Sequence, residues 1–150
     1  MDDLRVRQLD TALKPFSALR HRPPPDEGWV RTIRESIGMS LRQLAERTGL
    51  SKTSVRNAEL TERRGTVRLE TLQKLAEGMG CDLVYALVPK ESLQHTIQQQ
   101  AERLARRIVG RVSDSMELED QGVPDEETRR QIQEMIDELL RDRKRDFWDV

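Results

Sequence analysis

The sequence predicts a mainly α protein: a bundle of four short helices preceded by a helical arm and followed by one short strand and a C-terminal helical extension. Three observations carry this. The 150 residues are 35% charged, 35% hydrophobic and 3% aromatic, too polar and too poor in aromatic side chains for a β-sandwich or a large α/β enzyme. Apolar residues recur at three- and four-residue spacing along most of the chain. Serine starts and glycine stops punctuate those stripes, and only residues 81–88 break the helical pattern.

In residues 1–20, Val6, Leu9, Leu13 and Phe16 form one helical stripe, limited or kinked by Pro15. The run Arg22-Pro23-Pro24-Pro25-Asp26-Glu27-Gly28 follows. Three prolines in succession donate no backbone hydrogen bonds and favour an extended conformation, which reads as a stiff linker or, more weakly, a proline-dependent docking motif. Residues 1–28 are thus an arm and linker.

Residues 29–80 are the predicted bundle. Val30, Ile33 and Ile37 give a first helical face, ended by Gly38. Ser40 followed by Gln43 has the spacing of a capping box and opens a second helix with Leu41, Leu44 and Ala45 inward. Gly49 ends it, Ser51 caps a third helix carrying Val55 and Ala58, and residues 63–66 read as a loop. Leu69, Leu72, Leu75, Ala76 and Met79 form the fourth stripe, stopped by Gly80.

Residues 81–89 open with an eight-residue, mostly apolar run that ends at Pro89, the length and bounding of a strand, with a short buried helix as the alternative. No second strand is evident to pair with it. A lone strand leaves backbone groups unsatisfied, so the expectation is a homodimer joined by an intermolecular ribbon through Leu83, Val84, Tyr85 and Leu87.

Residues 90–150 return to helical spacing. Ile97, Ala101, Leu104, Ala105, Ile108 and Val112 share one side; Pro124 and three acids open a further helix with Ile132, Met135, Ile136, Leu139 and Leu140. Phe147 and Trp148, in a charged tail, either cap a hydrophobic patch or touch a partner.

Charge divides the chain. Residues 1–90 carry 16 Lys and Arg against 12 Asp and Glu; residues 91–150 carry 10 against 15. A basic front suits a polyanion and an acidic back a different partner. One cysteine, Cys81, and two distant histidines, His21 and His95, provide neither a disulfide framework nor a Cys/His zinc set. No nucleophile–base pairing or phosphate loop is present either, so no catalytic residue, metal or cofactor is expected. No apolar run reaches membrane-span length and no signal pattern opens the chain, which makes a cytoplasmic protein the expectation.

The function-bearing stretch is residues 41–60. Ala45 is small where one helix approaches the next, Gly49 permits a sharp turn, and Val55 is the inward contact of the following helix, the pattern of a helix-turn-helix. The second helix projects Lys52, Thr53, Ser54, Arg56 and Asn57, groups suited to base edges and phosphates. Arg42 and Gln43 at the start of the preceding helix, and Arg63 and Arg64 after the second, extend the candidate DNA-binding surface. Arg63 and Arg64 are equally readable as a solvated loop.

On Ser40, Leu44, Ala45, Gly49, Ser51, Val55 and Glu59, followed by Leu69, Leu72 and Leu75-Ala76, residues 29–80 resemble the phage-repressor-like Cro/C1 or Xre type of helix-turn-helix. The resemblance implies a transcriptional repressor that binds double-stranded DNA at an inverted-repeat operator. It also implies an Arg34–Glu59 pair joining the first helix to the end of the recognition helix. Ala58 departs from it, standing where a larger aliphatic residue is usual. The whole layout, from PPPDEGW through GCDLVYALVP to MELEDQ, resembles the group called mobile mystery protein A. That resemblance implies an antitoxin of a toxin–antitoxin module, paired with a Fic-domain protein, a class that transfers AMP. Fic inhibitors carry a Ser/Thr-x-x-x-Glu-Gly/Asn helix motif, which Ser115 and Glu119 match and Asp120 does not.

Overall fold

A computed structural model describes residues 3–113 and 125–149. It contains seven α-helices among the described residues: α1 Asp3–Leu13, α2 Trp29–Ser36, α3 Leu41–Thr48, α4 Lys52–Arg64, α5 Leu69–Gly78, α6 Leu93–Ser113 and α7 Glu126–Arg141. Two 3-10 helices, Lys14–His21 and Arg145–Trp148, complete the regular structure. The chain divides into two units, Ala18–Leu87 and a second made of Met1–Ser17 with Val88–Val150.

The first unit is built around α2 to α5. Leu44, Val55 and Leu75 are its fully buried side chains, joined by Val30, Ala45 and Ala58, with Met39, Leu50 and Leu72 packed around them. The stripes of α3 and α4 are the buried ones their periodicity marked, whereas of the first stripe only Val30 enters the core, Ile37 being 53% exposed, and Leu69 of the fourth lies outside it. The loop expected over 63–66 begins later: α4 runs through Arg64, and Gly65, at φ 71°, supplies the left-handed stop.

Residues 81–89 do not form the expected strand. The Cys81 N–H bonds back to the Ala76 carbonyl at 2.8 Å, closing the end of α5. The rest of the segment lies outside any helix or strand, and no strand occurs among the described residues. A strand is defined by its ladder, and the described residues offer no neighbour for one. Leu83 is half-buried, whereas Val84, Tyr85 and Leu87 are 70%, 69% and 85% exposed.

In the second unit α6 packs on α7. Ala101 and Ala105 are fully buried against Ile136, their small side chains allowing the helices to approach closely. Phe147 closes this core, and its carbonyl accepts a 2.7 Å hydrogen bond from the buried Gln100 amide. Trp148 stays half-exposed, edge-on to Phe147. The α1 helix belongs here: Asp10 accepts the Leu93 and Gln94 backbone N–H groups at 2.7 and 3.1 Å, capping α6.

Candidate nucleic-acid interface

Local sequence sets the α3–α4 pair. Ser40 and Gln43 form the complete capping box: the Gln43 N–H donates to Ser40 Oγ at 3.2 Å and the Ser40 N–H to Gln43 Oε1 at 2.8 Å. Gly49 sits at φ 70°, a conformation that strains any residue with a Cβ, and turns the chain from α3 into α4. Ser51 then caps α4, accepting the Ser54 N–H at 3.0 Å.

Capping from a distance sets the rest. The α2 helix starts at Gly28, which has no side chain to cap it. Glu62, near the end of α4, does so instead, accepting the Trp29 and Val30 N–H groups at 2.7 and 3.0 Å. Arg34 lies buried against Glu59, with Nε to Oε1 at 2.6 Å and Nη2 to Oε2 at 3.3 Å, and its Nη1 donates to the Met39 carbonyl at 2.9 Å. Arg47 Nε donates to the Gly78 carbonyl at 2.7 Å, tying α3 to the end of α5. The α4 helix is thus fixed to α2 by two carboxylates one turn apart.

These restraints hold one face of α4 inward through Val55, Ala58 and Glu59 and leave Lys52, Thr53, Ser54, Arg56 and Asn57 exposed on the other. The Ser54 hydroxyl lies 2.8 Å from Ser51 Oγ and serves the cap. Among the described residues, no hydrogen bond or ion pair within the chain holds the side chains of Lys52, Thr53, Arg56 or Asn57. Arg42 and Gln43 lie in the first turn of α3. Arg42 pairs with Glu46 at 2.6 Å, and Gln43 uses its carbonyl oxygen in the capping box, so further contacts fall to its amide nitrogen. Arg63 lies 3.7 Å from Glu27, and Arg64, the last residue of α4, is exposed.

Lys52 and Arg56 have no acidic partner among the described residues, nor do Arg64 and Arg68, whereas the arginines on the α2 side do. Arg31 bridges Glu27 and Glu35 at 2.8 and 3.0 Å. The hydrogen bond to Glu35 and the neighbouring carboxylates raise its pKa above the usual arginine value. Sequence reasoning missed Glu62 and Arg47. Their partners lie 31 to 33 residues away, and no local pattern signals such a contact.

Residues 30–85 match the family model of the helix-turn-helix. That match, over little more than a third of the chain, supports the Cro/C1-type helix-turn-helix for residues 30–85. A DNA-binding transcriptional regulator is the function class that goes with it. A search of curated proteins and a search of solved structures each gave no match. The helix-turn-helix takes in most of the 81–89 segment and stops short of α6. No helix among the described residues is long and apolar enough to cross a membrane, and none of their His, Cys, Asp and Glu side chains group so as to hold a metal ion. Ser115 and Glu119 lie outside the described residues.

Proposed function

We propose that this chain is a dimeric, sequence-specific repressor that binds an inverted repeat at its own promoter, and that residues 90–150 restrain a Fic-domain toxin. The observation that carries the first part is the exposed face of α4. Lys52, Thr53, Arg56 and Asn57 are unpaired within the described chain, on a helix whose other face is locked to α2. Lys52 and Arg56 supply phosphate and guanine contacts, and Asn57 suits adenine. Arg42, Gln43, Arg63 and Arg64 flank them as backbone contacts.

The exposed apolar residues Val84, Tyr85 and Leu87 support the dimer. Pairing of this segment with its copy in a second molecule would satisfy the backbone of both and cover those side chains. Two recognition helices about 34 Å apart would then meet successive major grooves. Footprinting of the DNA upstream of the gene, across a salt series, tests the reading. A protected inverted repeat whose affinity falls steeply with salt supports it. Weak, sequence-indifferent binding contradicts it.

A second reading makes the protein-binding half primary and DNA binding secondary. The acidic balance of residues 91–150 favours it, together with the four-residue spacing of Ser115 and Glu119 in the sequence. A carboxylate there would occupy the arginine that a Fic enzyme uses for the ATP phosphate. If Glu119→Ala leaves inhibition of the neighbouring Fic-domain protein unchanged, that mechanism is wrong.

A further inference from the structure

The second unit carries a groove of about 240 Å³ between α6, α7 and the terminal 3-10 helix. Its floor is Leu104 and Ile108 of α6, Met135 and Leu139 of α7, and Phe147. Among the described lining residues, Glu138, Asp142 and Asp146 are acids and Lys144 is a base. The volume lies below the roughly 300–1,000 Å³ of small-molecule sites, so it suits one or two inserted side chains better than a free ligand.

We propose that this groove docks a basic amphipathic helix of a protein partner, seating an apolar side chain on the floor and Lys or Arg against the rim. The proposal rests on the reading of residues 90–150 as the partner-binding half. Charge complementarity selects the occupant: among the described lining residues the carboxylates of Glu138, Asp142 and Asp146 outnumber the Lys144 ammonium, which favours a cationic segment and disfavours an acidic one. Residues 114–124 of this chain contain Asp114, Glu117, Glu119 and Asp120 and no Lys or Arg, so they carry the wrong charge to fill it. The wall is preformed, because the Gln100 amide holds the Phe147 carbonyl at 2.7 Å and Phe147 is buried in the core. The apolar strip also runs beyond the groove. Leu104, Ile108 and Val112 are successive one-turn neighbours on α6, and Ile108 and Val112 are exposed, which gives the length a helix needs rather than a single pocket.

The test uses the full chain and two fluorescent synthetic peptides of about fourteen residues with the same amphipathic order, one of Leu and Lys, the other of Leu and Glu. Anisotropy at about 0.15 M salt, where the Debye length is about 8 Å, reads local rather than long-range charge. The Leu/Lys peptide is expected to bind at least about tenfold more tightly. Asp142→Lys with Asp146→Lys should remove that preference. So should Ile108→Asp, an exposed position that leaves the core intact. Glu126→Lys with Glu127→Lys, at the other end of α7, should change affinity less than about twofold. Equal binding of both peptides, or equal loss in the two charge-reversed pairs, overturns the proposal. A change of oligomeric state in the rim variants also overturns it, since a second copy would then be the occupant. Co-purification with the neighbouring Fic-domain protein separates the two readings. Retention that the rim variants leave untouched keeps the partner reading and removes the groove. Peptide discrimination without retention keeps the groove and removes that partner.

Discussion

Arg34 on α2 and Glu59 on α4 meet in a buried ion pair, with Nε to Oε1 at 2.6 Å, and the same guanidinium closes the Met39 carbonyl at 2.9 Å. The pair lies on the inner side of α4, one turn from the Glu62 cap, so its work is positional. Breaking it strands a charge in the core: Arg34→Met should cost about 3–5 kcal/mol. Arg34→Met with Glu59→Leu should recover most of that, short of about 1 kcal/mol or more for the carbonyl left without its donor. Urea denaturation of the two single variants and the double variant measures the coupling. Simple additivity of the singles would contradict this account.

Glu62 caps α2, and Gly28 makes room for it. Gly28 stands at φ 80°, and a Cβ there would lie 2.9 Å from Glu62 Oε2. Glu62→Ala should cost about 1–2 kcal/mol, the value of a lost N-cap. Gly28→Ala should cost more than about 1 kcal/mol through backbone strain alone. Thermal melts check both, and wild-type melting of Glu62→Ala would remove the cap from the account.

Two glycines inside helices should respond with opposite sign to the same substitution. Alanine ordinarily stabilises a helix interior by about 1 kcal/mol relative to glycine. Gly110 on α6 has nothing within 4 Å of a Cβ, so Gly110→Ala should follow that rule. At Gly78 the Cβ would lie 2.5 Å from Thr48 Cγ2 and 2.9 Å from Leu44 Cδ1, where α5 presses on α3. Gly78→Ala should therefore destabilise by about 1–3 kcal/mol. A rise in melting temperature for Gly78→Ala would mean that the α3–α5 contact is looser than described.

What was legible in the sequence is what is decided locally. The Ser40–Gln43 box, the Ser51 cap and the Gly49 turn each act within a few residues, and periodicity marks Leu44, Ala45, Val55, Ala58 and Leu75 as core, but it also marks Ile37, which is exposed because the buried face of α2 is carried by Val30 and Arg34. The Arg34–Glu59 pair was legible only through resemblance. Glu62 over Trp29 and Asp10 over Leu93 were not legible, because a carboxylate meets those N–H groups across 33 and 83 residues. The 81–89 segment has strand composition without a strand: apolar β-formers mark a tendency, and no strand among the described residues pairs with it.

Asp10 makes a further expectation specific. The helix-turn-helix core is complete within residues 18–87, whereas α6 is capped in part from α1, through Asp10, besides its local Ser92 cap, which accepts the His95 N–H at 2.9 Å. A fragment of residues 18–87 should unfold cooperatively. In the full chain, Asp10→Ala should speed hydrogen exchange in the first turn of α6 and leave α3 and α4 unchanged. Equal acceleration in both units would contradict their separate cores.

The most direct test of the central claim is the affinity of the wild-type chain, Lys52→Ala and Arg56→Ala for the footprinted repeat and for a scrambled duplex, measured by anisotropy at several salt concentrations. Each substitution should cost about 1–3 kcal/mol on the repeat and much less on the scrambled duplex if it removes a base contact. A lost phosphate contact should instead weaken both duplexes and lower the salt slope by about one. Wild-type affinity in both variants, or a wild-type chain that does not distinguish the two duplexes, would contradict the assignment of α4 as the recognition helix.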